Sequence, residues 1–229
     1  MIERAPFFQA AGAAAMAELL RPSFTQLLPK GTVLFEQGEE PEFLHLLLEG
    51  SVGLQAQGEG GGTTVVEIFG GGEVFLAPAV ILRLPYLATA VALTEIRVLM
   101  IPADHFRDNL QRSFELSGAC NELLSRHWRL IVDQVVDLKL NSVAVRLGRF
   151  LARRISDEAG AGCASLPEPR SAIAARLGMT PETLSRTLAA LEGSGRLRRT
   201  PNGPTVPDRG ALVNDRDAPR RRRSRPRSN

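Results

Sequence analysis

The sequence predicts an α+β fold in which a β-rich front part precedes helices. Between Gly31 and about Pro102, short apolar runs alternate with glycine turns such as Glu49-Gly50 and Gly70-Gly71-Gly72. Short strands at this spacing are typical of an antiparallel barrel or sandwich. From residue 113 onward glycine becomes rare and apolar residues recur at helical spacing. We therefore expect an antiparallel β domain, a long helix and a helical C-terminal part.

The front part divides into a helical entry and a series of strands. Residues 5–28 are dense in Ala, Leu and Met and look like short helices, which Pro22 and Pro29 should interrupt or end. The predicted strands cover residues 32–35, 43–48, 51–54, 63–69, 74–76, 88–93 and 96–101. The glycine cluster 58–62 suits a hairpin tip. It makes a poor phosphate loop because no Lys-Ser/Thr pair follows it.

Residues 113–139 carry a wide apolar face on one predicted helix. A stripe at spacings of 4, 3, 4 and 3 consists of Leu124, Trp128, Ile131, Val135 and Leu138. An adjoining stripe consists of Leu116, Leu123 and Leu130. Packing against its own domain and pairing with a partner helix in a homodimer are both open, since two stripes can face different neighbours.

The charge of the chain is unevenly distributed. The 229 residues include 28 basic and 25 acidic ones, a formal charge of +3. Residues 1–112 carry −6, residues 113–139 carry −1 and residues 140–217 carry +4, and six arginines after Ala218 add +6. A basic back half indicates an anionic partner for that half.

Composition excludes several classes of protein. Two cysteines, Cys120 and Cys163, cannot form a disulfide framework, and the chain shows neither a secretory signal nor a membrane span. We expect a cytoplasmic protein. The histidines at 45, 105 and 127 are scattered, and no nucleophile elbow or Walker motif appears. No catalytic residue and no metal site is therefore predicted, and an enzyme is disfavoured.

Residues 170–192 have the pattern of a helix-turn-helix. A short helix over 171–177 should stop at Gly178, where a left-handed conformation is cheap. Thr180 can cap the next helix, Pro181 suits its first position, and Glu182 suits its positive end. A preceding amphipathic helix is predicted over 142–155.

The second helix of this pair has an apolar and a polar face. Leu184, Leu188 and Leu191 should point inward, and Glu182, Ser185, Arg186 and Ala189 should lie opposite. Arg186 can donate two hydrogen bonds to guanine, Glu182 can accept from a cytosine or adenine amino group, and Ser185 can meet a base edge. Glu and Arg at this spacing also form an ordinary surface pair. Residues 196–207, read as two strands around Asn202-Gly203, would add a wing and favour DNA.

These motifs together resemble the Crp/Fnr superfamily of bacterial transcription regulators. Residues 30–39 and 43–52 are similar to the opening strands of its cyclic-nucleotide-binding β-roll, and the winged helix-turn-helix adds specificity. Because Arg220 to Arg227 lie among Pro and Ser with no apolar face, we expect a disordered arginine tail over 215–229. The resemblance implies a jelly-roll sensor domain over 1–112, a dimerisation helix over 113–139 and a winged helix-turn-helix over 140–214. It also implies a homodimer on palindromic double-stranded promoter DNA, with RNA polymerase as a further partner.

Within the superfamily, Glu182-x-x-Ser185-Arg186 resembles the Fnr-like recognition helix, which implies a TTGAT-like half-site. Arg170 and Thr180 match positions that hold phosphates. The expected phosphate contacts are Arg170, Thr180, Thr183, Arg199 and Gly203. A nonspecific RNA or polyanion binder that uses the arginine tail is the alternative of another class.

The resemblance leaves the effector open. The family's ribose and phosphate pairs align with Leu76-Ala77 and Tyr86-Leu87, so neither pair is present, although nearby Arg83 keeps cyclic AMP as an alternative. Two cysteines exclude the four-cysteine iron-sulfur sensor. Haem held by His45, His105 or His127 is a further alternative, as is activity set by expression alone. The candidate effector pocket consists of Phe75, Leu76, Ala77, Ile81, Arg83, Tyr86 and Leu87.

Overall fold

The computed structural model describes residues 5–58, 60–75, 77–154, 166–200 and 203–205. The chain divides into two compact units. One consists of Met1–Val136 with Pro167–Thr183, and the other of Asp137–Leu166 with Leu184–Asn229. The boundaries of the predicted domains do not follow from this division and stay a prediction.

The first unit contains two antiparallel sheets of four strands each. The strands are β1 Phe24–Leu28, β2 Val33–Phe35, β3 Phe43–Glu49, β4 Ser51–Gln57, β5 Thr63–Gly70, β6 Val74–Phe75, β7 Thr89–Ala92 and β8 Ile96–Pro102. They follow the orders β1-β8-β3-β6 and β2-β7-β4-β5. The predicted antiparallel β domain is confirmed.

The N-terminal segment, residues 5–28, is helical in its first part as predicted and forms a strand in its last part. Helix α1, Pro6–Leu20, is broken at Gly12, whose φ of 80° is not helical, so it consists of two short pieces. Residues 24–28 were expected to be helical and form β1, which pairs with β8 from Phe24 opposite Met100 to Leu28 opposite Ile96. The prediction was wrong here because β1 is an edge strand whose residues are mostly exposed, so it lacks the alternation of a half-buried strand.

The predicted turn at Gly50 joins β3 to β4. Gly50 has a φ of +85°, and a Cβ at this position would clash with the carbonyl oxygen of Glu95. Only glycine fits this close approach of backbone to backbone.

Two apolar cores lie on opposite faces of the β1-β8-β3-β6 sheet. Leu47, Val52 and Phe75 belong to the core between the sheets. Leu44 and Leu46 face the other core, which helices cover. The period of two along β3 therefore serves both cores, and the strand is buried almost throughout.

The first part of the chain contains three further helices, one between β6 and β7 and two after β8. Helices α2, Ala77–Leu82, and α3, Ala103–Arg112, were not predicted, and α4 runs over Phe114–Leu140 as the predicted long helix. The short helix α2 is apolar throughout, which hides its periodicity. None of the helices that the structure describes is both long and apolar enough to cross a bilayer.

The C-terminal part is helical and ends in a small ribbon. Helices α5, Val143–Arg154, α6, Arg170–Arg176, and α7, Pro181–Gly193, precede strands β9, Arg198–Thr200, and β10, Gly203–Thr205. β9 and β10 pair antiparallel, with Thr200 opposite Gly203. Asn202 and the arginine tail lie outside the described residues.

Candidate nucleic-acid interface

The end of α6 is fixed by backbone hydrogen bonds around Gly178. The N–H of Met179 donates to the Ala174 carbonyl and the N–H of Gly178 to the Ala175 carbonyl, both at 3.0 Å. Gly178 has a φ of +63°. This is a Schellman ending, whose left-handed residue is usually glycine. The predicted helix stop is confirmed.

The start of α7 is capped as the sequence predicts. The N–H of Thr183 donates to the Thr180 hydroxyl oxygen at 3.2 Å. Pro181 takes the first helical position, and Glu182 lies in the first turn. The cap satisfies one of the N–H groups that a helix start leaves open and helps to fix where α7 begins.

Helix α7 presents the polar face that the spacing predicts. Leu184, Leu188 and Leu191 are buried. Glu182 and Arg186 are exposed and Ser185 is half-buried. Ser185 and Arg186 lie 3 and 4 positions after Glu182, so the three side chains share the outer face of the helix. The arrangement offers both donors and acceptors to a major groove.

Three of the five residues expected to contact phosphate lie at the starts of α6 and α7, and the other two lie in the ribbon. Arg170 is the exposed first residue of α6, and Thr180 precedes α7. Thr183 is half-buried in the first turn of α7. Arg199 and Gly203 lie in the paired strands β9 and β10. Helix starts and backbone N–H groups suit phosphate oxygens.

An ion pair that the sequence did not predict holds α6 against β5. The Nε and Nη2 atoms of Arg176 donate to the two carboxylate oxygens of Glu67 at 2.7 and 2.8 Å. Nearby, the hydroxyl of Ser51 donates to a carboxylate oxygen of Glu168 at 2.8 Å. No local pattern marks these pairs because more than 100 residues separate their members.

One face of α4 packs on β5. The side-chain amide of Gln134 donates to the Val66 carbonyl at 2.5 Å, and the rings of His127 and Phe69 lie 5.8 Å apart, centroid to centroid, in a T-shaped arrangement. None of the described residues covers the opposite face of α4, whose large apolar side chains are exposed.

The predicted dimer stripe includes that uncovered face. Trp128 is 68% exposed, and Ile131, Val135 and Leu138 are exposed as well. Leu124 differs, because it packs partly against the helical core. The four exposed members suit a partner helix.

The structure does not bring the predicted effector-pocket residues together. Phe75 and Tyr86 lie in the core between the sheets. Ala77 and Ile81 belong to α2 and pack in the core that the helices cover. A sheet separates the two groups.

Two other members of that predicted pocket, Leu87 and Arg83, lie at the surface. Leu87 is 84% exposed, and Arg83 is exposed with a φ of 55°. Leu76 lies outside the described residues. The sequence grouped these residues by proximity along the chain, and α2 and the loop after it disperse them.

An aromatic cluster occupies the space between the sheets. The rings of Phe35 and Tyr86 stack with centroids 3.8 Å apart. His45 lies 5.2 Å from Phe35 and 5.4 Å from Phe75, centroid to centroid. Phe69 continues the series at 5.5 Å from Phe75. Three of these four pairs are stacked, with interplanar angles of 20° to 27°, and the pair of His45 and Phe35 is tilted by 46°.

The histidines considered as haem ligands lie in three different environments. Burial lowers the pKa of His45 to about 4 and lowers the pKa of His127 as well, so both rings are neutral at pH 7. The Nε2 atom of His105 lies 2.9 Å from the Glu18 carbonyl oxygen. No cluster of three or more metal-ligating side chains occurs in the part of the chain that the structure describes.

Cys120 is buried on α4. Burial raises the pKa of its thiol to about 11, so almost none of it is thiolate at neutral pH. A thiol in this state is unreactive, which favours packing over redox sensing.

Family comparisons match both parts of the chain. A family model for the cyclic nucleotide-binding domain matches residues 25–113, and one for the Crp-like helix-turn-helix domain matches residues 145–214. Together these segments make up more than half of the chain. The first match covers the two sheets, and the second covers α6, α7 and the ribbon.

Individual relatives extend over most of the chain. A CRP-like cAMP-activated global transcriptional regulator from Mycobacterium tuberculosis is 25% identical over 202 residues, which are 86% of this chain and 90% of the relative. A solved structure from Silicibacter pomeroyi, described as that of a cAMP-binding regulatory protein, is 29% identical with a TM-score of 0.61, covering 85% and 86% of the two chains. FixK2 from Bradyrhizobium japonicum has a TM-score of 0.75 at 20% identity, covering 83% and 95%.

Proposed function

The chain belongs to the Crp/Fnr family of transcription regulators, and from that premise we propose which DNA it reads and how. It is a DNA-binding transcription regulator. The proposed target is a palindromic site with TTGAT-like half-sites, which a homodimer reads with one α7 in each half. The outer face of α7, with Glu182, Ser185 and Arg186, is the observation that carries this proposal.

Each of the three side chains has a chemical role in this proposal. The guanidinium of Arg186 donates two hydrogen bonds to O6 and N7 of the guanine. The Glu182 carboxylate accepts from an amino group of cytosine or adenine, and Ser185 contacts a neighbouring base edge. The buried leucines opposite keep this face turned away from the protein.

The remaining contacts in the proposal hold the DNA backbone. Arg170, Thr180 and Thr183 surround the starts of α6 and α7, where exposed N–H groups and the helix dipole favour anions. Arg199 and Gly203 place the ribbon of β9 and β10 along a neighbouring strand of DNA. Such contacts fix register and add affinity without reading sequence.

The proposed homodimer forms through α4. Its stripe of Trp128, Ile131, Val135 and Leu138 is large, apolar and exposed in the single chain. Apolar residues at spacings of 3 and 4 are the seam of a two-helix coiled coil. Two copies of α4 would bury both stripes and set the two recognition helices on one palindrome.

We further propose that cyclic AMP is not the effector, although the mycobacterial relative is named for cAMP activation. Tyr86 aligns with the family's phosphate-binding arginine, and its ring stacks on Phe35 inside the core. A buried phosphate there would have no cation to pair with and would be costly. Titration with cyclic AMP should leave DNA affinity unchanged.

A gel-shift series tests the recognition face. Arg186→Ala should lose about 1 to 3 kcal/mol of discrimination between TTGAT and TTAAT half-sites. Arg112→Ala removes an exposed arginine at the end of α3 and serves as the matched control. If Arg186→Ala prefers TTGAT as strongly as the parent chain, the assignment of this face is wrong.

Removal of the arginine tail distinguishes a sequence-specific regulator from a nonspecific polyanion binder. Truncation after Ala218 removes six arginines. If the tail only adds phosphate affinity, truncation flattens the salt dependence of binding and keeps the site preference. Loss of all DNA binding together with indifference to sequence in the parent chain would support the polyanion alternative.

A further inference from the structure

A cavity of about 440 Å³ lies at the edge of the core between the sheets, beside the loop that joins β2 to β3. Phe35, Phe43, Tyr86 and Met100 give it an apolar and largely aromatic wall. Its volume lies within the roughly 300–1,000 Å³ of pockets that hold small molecules. The cavity is therefore large enough for a compact organic ligand.

A buried polar side chain lines this cavity without a hydrogen bond of its own. His45 is 3% exposed and contacts the rings of Phe35, Phe43 and Phe75. Among the described residues, no side chain or backbone group forms a hydrogen bond with its ring nitrogens. A neutral imidazole in this position has one donor and one acceptor to offer a guest. Buried polar groups normally have partners, so this ring indicates a binding site.

The mouth of the cavity is acidic. Glu39, Glu40 and Glu42 line it and are exposed, and no lysine or arginine is among the described residues around it. Burial raises the pKa of Tyr86, and the neighbouring carboxylates of Glu39 and Glu42 raise it further. An anion would be repelled here, and a cation would be attracted.

The wall around Tyr86 is held in place before any ligand arrives. Its N–H donates to the Glu39 carbonyl at 2.9 Å, and its carbonyl accepts from the Gly38 N–H at 2.8 Å. Its hydroxyl donates to the Phe43 carbonyl at 3.2 Å. The acidic loop and the aromatic wall therefore form one preorganised unit.

We propose that this cavity binds a small organic ammonium ion with an aromatic or apolar body. The body occupies the aromatic wall, and the ammonium group lies at the mouth near Glu39 and Glu42. Aromatic faces and carboxylates are the two kinds of group that bind such cations. His45 supplies a hydrogen bond to a polar atom on the body. The site does not depend on how the chain reads DNA.

Calorimetry on the full chain with three matched probes tests the proposal. They are 2-phenylethylammonium, neutral 2-phenylethanol and anionic 3-phenylpropionate. We expect saturable binding of the ammonium probe and at least about fivefold weaker binding of the other two. Added salt should weaken binding of the ammonium probe alone.

Charge-neutral variants locate the binding site. Glu39→Gln and Glu42→Gln change exposed side chains, so the fold is retained, and each should raise the dissociation constant of the ammonium probe about fivefold. Asp108→Asn, which removes an exposed carboxylate from α3, is the control and should change nothing. Equal binding of all three probes, no binding of any probe at millimolar concentration, or no response to Glu39→Gln and Glu42→Gln would overturn the proposal.

Discussion

Arg176 on α6 and Glu67 on β5 form a two-point ion pair although 109 residues separate them in the chain. Their side chains are 7% and 12% exposed, so water hardly screens the pair. The Glu67 carboxylate also accepts from the N–H of Ile68. The pair therefore joins the first helix of the helix-turn-helix to the β2-β7-β4-β5 sheet, within one compact unit.

Removing one partner of this pair should destabilise the protein. Glu67→Ala leaves the guanidinium of Arg176 buried without its two acceptors, and loss of one member of a buried pair typically costs about 3 to 5 kcal/mol. We expect urea denaturation, followed by circular dichroism, to show a loss of that size. Hydrogen exchange should become faster in α6, which the pair holds.

Two further variants test whether the loss of stability comes from the broken ion pair or from the substitution itself. Glu49→Ala breaks an exposed pair with Arg97, whose atoms lie 3.6 Å apart, and should cost less than about 1 kcal/mol. The double variant Glu67→Leu/Arg176→Met removes both charges and should regain most of the loss. A Glu67→Ala protein as stable as Glu49→Ala would show that the pair contributes little.

Features set by neighbouring residues could be predicted from the sequence. The stop at Gly178 and the cap at Thr180 depend on backbone groups a few residues away, so the chemistry of the segment was sufficient. The polar face of α7 follows from spacing in the same way.

Features set by distant residues could not be predicted. Strand β1 is a strand because β8 offers it hydrogen bonds, while its own residues are mostly exposed. The stacking of Phe35 on Tyr86 and the pairing of Arg176 with Glu67 bring together residues 51 and 109 positions apart. Their sequence neighbours carry no trace of these contacts, and the residues grouped as an effector pocket lie in two different cores.

Stability should fall below pH 6.5 because of His45. Burial lowers its pKa from 6.5 to about 4, so the unfolded chain binds a proton more readily than the folded one between these values. The stability that this difference in the pKa of His45 contributes is fully present above pH 6.5. It is lost progressively as the pH falls toward 4, and the total loss is about 3 kcal/mol. Urea midpoints measured at pH 7 and pH 5 should show the decline.

A substitution at His45 identifies the source of that decline. His45→Phe places another ring among the aromatic side chains and should flatten the pH dependence, leaving the smaller part due to His127, whose pKa is also lowered. A His45→Phe protein with an unchanged slope would rule out this assignment.

Gly178 should resist replacement because its backbone is left-handed. At its φ of +63°, a side chain with a Cβ costs about 1 to 2 kcal/mol, so Gly178→Ala should lower the melting temperature and Gly178→Asn should lower it less. Gly118 provides the comparison, because it lies in α4 and a Cβ added there would meet only open space. Gly118→Ala should therefore stabilise the chain by up to about 1 kcal/mol. Equal effects of the two alanine variants would contradict the role given to Gly178.

Trp128 provides the most direct measurement of the proposed homodimer. Because its side chain is 68% exposed in the single chain, Trp128→Ala should leave the fold intact and act on association alone. A tryptophan at the centre of an interface is typically worth about 2 kcal/mol or more, so the dimer dissociation constant should rise about thirtyfold. Arg129→Ala, at the adjacent exposed position of α4, should leave it unchanged. Light scattering over a concentration series measures both constants, and an unaltered constant for Trp128→Ala would place this residue outside the interface.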